Sequence, residues 1–257
     1  MAPTAPMWAW VVVVAGSIAV AAGVWAALAA VLGRLGLPAG SVRRQVAVAG
    51  AVLGGWLLLD IGLGAAHAFR ARAEGVPWIG VGVVAPLVAG YLAHTFSPSV
   101  RRLVAGIPLS WLLRVHAPRV MGIAFLILAA QHRLPWVFAL PAGIGDILVG
   151  LAAPVAARSW KAGGRSARRA VAIFSVAGLV DFVGAIGTGF LSAPSPLQVL
   201  HPQPSTYLMS VLPMVLVPTF LVPLYALSHV AALSALARTA TRRLRRGAQG
   251  HAFRPAA

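Results

Sequence analysis

The stretch LPWVFALPAGIGDILVGLAAP, residues 134–154, decides how this chain folds. Its single charged residue is Asp146, set in a run long enough to cross a hydrocarbon core of about 30 Å as a helix rising about 1.5 Å per residue. A carboxylate at that depth costs about 2.5–3.5 kcal/mol on insertion scales, so it persists where it has a partner or a task. Two more aspartates have similar surroundings: Asp60 in GGWLLLDIGLG and Asp181 in AGLVDFVGAIG. The chain has four acidic residues in all, so three of them lie in apolar runs.

Apolar runs of this length recur along the chain. Of its 257 residues, 60% are hydrophobic and 10% charged, where a soluble domain carries about 25% charged residues. Hydropathy predicts an all-α membrane bundle with spans at about 8–32, 45–67, 77–96, 111–132, 136–156, 170–191 and 207–234. These form one transmembrane domain over residues 1–237, followed by a basic tail over 238–257. The fourth span has a clean apolar part, VMGIAFLILAA, that is too short to cross and must borrow WLLRVHAPR before it. Pro118 there can bend a helix without stopping it. The N-terminus MAPTAPMWAW lacks a positive leader region, which predicts a retained first helix rather than a cleaved signal.

The formal net charge is +17. With the N-terminus outside, the odd-numbered loops and the tail collect 18 of the 21 basic residues, Arg114 and Arg119 among them. Arg70, Arg72 and Arg133 remain outside. The positive-inside rule therefore predicts N-out, C-in. Basic residues are not interleaved with aromatic ones as in RNA readers, which argues against a nucleic-acid partner. The tail RTATRRLRRGAQGHAFR fits anionic lipid headgroups. Absence of cysteine removes disulfides, thiolate catalysis and Cys-ligated metals. Lys161 is the only lysine, and Ala, Gly, Val and Arg are abundant. That bias suggests a GC-rich bacterial genome and an inner-membrane location.

Asp146 and Asp181 fall about ten and eleven residues into their spans, hence about 15–17 Å deep, near the midplane. Adjacent antiparallel helices can bring them together, while Asp60 is nearer the outer face. Carboxylates held out of water are the groups that proton and cation relays use, and equally groups that hold helices together by pairing. Arg119 is the counter-charge at hand; it either snorkels to the inner headgroups or reaches Asp146 or Asp181. Gly143, Gly145 and Gly150 permit close helix approach, and the Pro141-Ala-Gly entry can expose carbonyls beside a carboxylate, as in transporter ion sites. Span six repeats the theme with Gly184, Gly187, Thr188 and Gly189. Pro213, Pro218 and Pro223 predict a kinked seventh span in which Thr219 can bond a freed carbonyl.

Histidines gather at the predicted helix ends, His67, His132 and His201 outside and His94, His116 and His229 inside, with His67 and His94 the available partners for His116 and His132 of the fourth span. Paired across helices they would ligate haem b, so a haem-bearing electron-transfer subunit is one alternative. No HExxH, G-x-S-x-G or P-loop motif is present, which favours non-enzymatic roles.

The segment HRLPWVFALPAGIGDILVGLAAP, followed by LVDFVGAIGTGFL and VLPMVLVPTFLVPLYALSHV, resembles a group of bacterial multi-pass membrane proteins. The resemblance covers roughly the C-terminal half and implies no activity. The leading expectation is a transporter or channel for protons, ions or a small solute. Its site would comprise Asp146, Asp181, Asp60, Arg119, Gly143, Gly145 and Thr188, with no resident cofactor. A non-catalytic scaffold subunit is the remaining alternative. A homo-oligomer or a partner membrane subunit is compatible with either role.

Overall fold

The computed structural model describes residues 4–252, with side chains from residue 4 through 239, so nearly all side chains of the predicted basic tail lie outside the described residues. Among the described residues every regular element is helical. In order these are α1 (Met7–Gly33), α2 (Ala39–Ala65), α3 (Trp78–Phe96), α4 (Pro98–Gly106), α5 (Leu109–Arg114), α6 (Ile123–Ala130), α7 (Trp136–Ala162), α8 (Gly164–Leu191) and α9 (Val222–Ala252). Prolines 6, 38, 77, 108 and 135 immediately precede α1, α2, α3, α5 and α7. A helix start has no use for the missing amide, so proline sets the entry without losing a bond. Between α7 and α8, Gly163 and Gly164 take φ of 80° and 90°, a conformation that side chains with a Cβ rarely adopt.

Among the described residues, seven segments are long and apolar enough to cross a membrane: Met7–Gly33, Ala39–Ala65, Trp78–Phe96, Leu109–Ala130, Trp136–Ala162, Gly164–Leu191 and Val217–Thr239. Their outward faces carry exposed Val11, Ile18, Val52, Leu58, Leu148 and Val183. A helix that is apolar all round belongs either in a protein core or in lipid. These faces are uncovered, so the chain is a multi-pass membrane protein.

Two spans differ from the hydropathy reading. The fourth is not one bent helix. It is α5, then a 3-10 turn over Ala117–Gly122, then α6. Pro118 supplies no amide at that turn, and the tighter winding lets the chain advance without one. The seventh begins ten residues later than predicted, at Val217. The chain before it forms a short 3-10 turn (Thr206–Ser210), and the Gln203–Pro204 and Leu212–Pro213 peptides are cis. A single π-turn, Val217–Leu221, holds Pro218 and leads into α9. The Thr219 hydroxyl donates to the Val215 carbonyl at 2.9 Å, but that carbonyl already accepts the Thr219 amide at 3.1 Å, so it is not one that a proline frees.

Helix α7 is the hub, packed along α8 on one side and along the broken fourth span on the other. Helix α9 lies against α8 and α5, α3 against α9, and α1 pairs with α2. Two apolar clusters form the core of the hub. One joins Phe125 and Leu128 of α6 to Phe138 and Ala142 of α7. The other joins Leu112 and Leu113 of α5 to Val149 and Ala153 of α7 and Phe174 of α8. Along both the fourth span and α7, the interval between the clusters holds the charged residues Arg119 and Asp146.

Candidate functional site

Arg119 lies on the 3-10 turn, halfway along the fourth span, with its side chain only 1% exposed. It therefore leaves the count of loop charges, and it does not snorkel. Its Nε donates to Asp146 Oδ1 of α7 at 2.6 Å. Its Nη2 donates to Asp181 Oδ2 of α8. The guanidinium carbon lies 4.0 Å from the centroid of the Phe182 ring, a cation–π contact that adds to the charge-assisted bonds. The third nitrogen, Nη1, is 3.3 Å from His229 Nε2 on α9. Three helices and a broken one are thus tied at one guanidinium.

Small residues make this closeness possible. A Cβ on Gly122 would strike the Cβ of Asp146, and one on Gly143 would meet the Gly122 carbonyl at 3.0 Å. A Cβ on Gly145 would land on Asp181 Oδ1, so Gly145 is the notch into which that carboxylate fits. Gly150 takes the backbone of Val120 in the same way. The glycine face of α7 is a seat for the turn that carries Arg119.

Two carboxylates share this one guanidinium. With both aspartates ionised and His229 neutral, the group carries one surplus negative charge. The aspartates are also not sealed: their side chains keep 18% and 12% exposure while Arg119 has almost none. They face a cavity with about 670 Å³ of empty space, walled by Phe125, Phe138, Phe182 and Phe190. It extends to Ala71 after α2 and to Ala193, Thr206 and Ser210 after α8, loops at one end of the bundle. A second space of about 580 Å³ approaches Arg119 and Asp146 from the α1 side, past Gly16 and Val20.

Beyond Arg119 is a histidine pair. His229 and His116 stack with centroids 3.7 Å apart, and both are fully buried. His116 Nε2 is 2.9 Å from the Ser228 hydroxyl, and Phe174 and Tyr225 pack on the His116 ring. Among the described residues, Nδ1 of each histidine has no hydrogen-bond partner.

Of the predicted site residues, Asp146, Asp181, Arg119, Gly143 and Gly145 come together. Asp60 and Thr188 do not line either cavity. Asp60 is buried beside Trp56 and Thr219, with Oδ2 unpartnered among the described residues. The Thr188 hydroxyl bonds back to Gly184 at 2.8 Å along its own helix. His67 and His132 occupy helix-ending positions with φ of 61° and 55°. The buried partner of His116 is His229, which the haem pairing did not include. Sequence reasoning also missed Phe182, whose position next to Asp181 was the available signal.

Residues 76–237 match the family described as Domain of unknown function (DUF8737), and the chain belongs to that family. The matched region contains Arg119, Asp146, Asp181, Phe182 and His229, and it excludes α1, α2 and Asp60. No curated protein and no solved structure matches the chain.

Proposed function

We propose that this DUF8737 member is a membrane translocator in which a proton or other cation, exchanging at the Asp146–Asp181 pair, is coupled to passage of a small solute. The charge count carries the reading. One guanidinium faces two carboxylates about halfway through their spans, and a surplus charge held away from bulk water calls for a neutralising ion. A purely structural bridge has no need of the surplus, nor of a cavity reaching both acids. The broken fourth span supports the same reading. Discontinuous membrane helices build midplane ion sites in transporters, and here the break itself carries the counter-charge. A shift of α5 against α6 would slide the guanidinium from one carboxylate toward the other and change which acid is free.

The uneven loop charge favours an N-terminus outside and a C-terminus in the cytoplasm, so the cavity opens outward. Composition favours a bacterial inner membrane.

The test is flux. Proteoliposomes loaded with a pH-sensitive dye receive an inward gradient of Na+, K+ or tetraphenylphosphonium. Proton efflux driven by at least one of them, and absent in Asp146→Asn and Asp181→Asn, is expected. Wild-type vesicles that behave like protein-free ones for all three ions, or an undiminished flux in both variants, would refute the proposal.

A further inference from the structure

We infer that the larger cavity binds amphiphilic organic cations, molecules with a permanently or readily charged onium or ammonium centre on an apolar body. The inference rests on the cation-exchange reading above and names what exchanges there.

Four observations converge on this ligand class. The first is access. The space runs from the two acids to Ala71, Ala193, Thr206 and Ser210 in the loops at one end of the bundle. The second is the wall. Phe125, Phe138, Phe182 and Phe190 present rings and Met209 a pliable thioether, a lining that accepts varied apolar shapes and attracts cations to ring faces. The third is the floor, where Asp146 and Asp181 are the only charged groups that line the space. Arg119 is not part of that lining; it lies behind the acids with Nε and Nη2 bonded to them and Nη1 beside His229.

The fourth observation concerns hydrogen-bond polarity. Besides the acids, the side-chain polar groups in the lining are Thr206 and Ser210. The Thr206 hydroxyl donates to the Gly189 carbonyl at 2.7 Å. The Ser210 hydroxyl donates to the Tyr207 carbonyl at 2.7 Å and accepts the Ala71 amide at 3.0 Å. Each hydroxyl has a single proton and has already used it. The lining side chains therefore offer acceptors without a free donor. An anion or a carboxylate-bearing solute would meet no side-chain donor and two acidic groups. A cation meets opposite charge, ring faces and an apolar enclosure.

The experiment uses tritiated tetraphenylphosphonium and the full-length protein in lipid nanodiscs, with empty nanodiscs subtracted. Saturable binding is expected, displaced by the unlabelled cation and not by its neutral relative triphenylphosphine oxide. Asp181→Asn should weaken binding at least about tenfold, the scale of one lost charge-assisted contact in an apolar site. Ala193→Trp, which plugs the mouth and leaves the acids untouched, should abolish it. Both variants are first checked for wild-type elution and thermal unfolding; if Asp181→Asn fails to fold, Ala193→Trp carries the test alone. Absence of saturable binding, equal displacement by the neutral relative, or unchanged affinity in a folded variant overturns the inference. Na+- or K+-driven proton flux that persists without phosphonium binding would sink the ligand class and spare the translocator. Binding without any flux would do the reverse.

Discussion

Replacing Arg119 by methionine removes the cation and keeps much of the side chain's length and apolar bulk. Two largely buried carboxylates then face each other across α7 and α8 without a counter-charge. The change deletes the 2.6 Å bond to Asp146, the bond to Asp181 and the 4.0 Å contact with Phe182. Stranding a buried charge by removing its partner costs about 3–5 kcal/mol, chiefly because the remaining charge is unsatisfied. Arg119→Met should therefore lower stability by about 3–5 kcal/mol in equilibrium unfolding with mixed detergent micelles. The magnitude has a built-in check. Neutralising the stranded acids in Arg119→Met/Asp146→Asn/Asp181→Asn should restore more than half of the loss, since neutral replacements of buried ion groups are often near-neutral overall. A loss below about 1 kcal/mol, the scale of an exposed pair, or a triple variant no better than the single one, would show that the three groups are not coupled as described.

Other outcomes follow from the same geometry. Gly145→Ala forces its methyl onto Asp181 and should destabilise by about 1–3 kcal/mol, while Gly184→Ala, with nothing near its added carbon, should be neutral or slightly stabilising; thermal unfolding of the two separates them. Asp60→Asn replaces a buried acid with an unpartnered oxygen and should leave stability unchanged or raise it by up to about 1 kcal/mol, with phosphonium binding intact. Gly178→Ala would drive a methyl into the His229 ring and should cost about 1–3 kcal/mol, partly recovered in Gly178→Ala/His229→Ala; a double variant that shows no recovery would contradict the packing.

The amino-acid sequence carries the spans because each is a nearly uninterrupted apolar run, and it carries the depth of Asp146 and Asp181 because helical rise converts residue count into distance. Arg119 was legible as the counter-charge for the same reason. The reach of one guanidinium to both acids was not, because it depends on how closely α7 approaches the turn, which the glycines at 122, 143 and 150 set in three dimensions. The His116–His229 stack was hidden twice. The two residues are 113 positions apart in the chain, and hydropathy placed His229 near a helix end. The hydropathy window counted residues 207–216 as helix, whereas that proline-bearing segment folds as turns. The true span starts at Val217, which moves His229 toward the middle of the bundle. Thr188 reads in the sequence as a hydroxyl among glycines, and in these apolar surroundings it bonds its own helix.

The chain has no cysteine, so single introduced thiols report water access directly. In proteoliposomes, Ala185→Cys and Ala193→Cys, both lining the cavity, should react with a membrane-impermeant cationic thiol reagent from one side only. Tetraphenylphosphonium should protect them, and Val183→Cys, 75% exposed on the outer face of α8, should stay unreactive in lipid. An inert Ala185→Cys beside a reactive Val183→Cys would mean that water does not reach the acids through this cavity, and the account would fail.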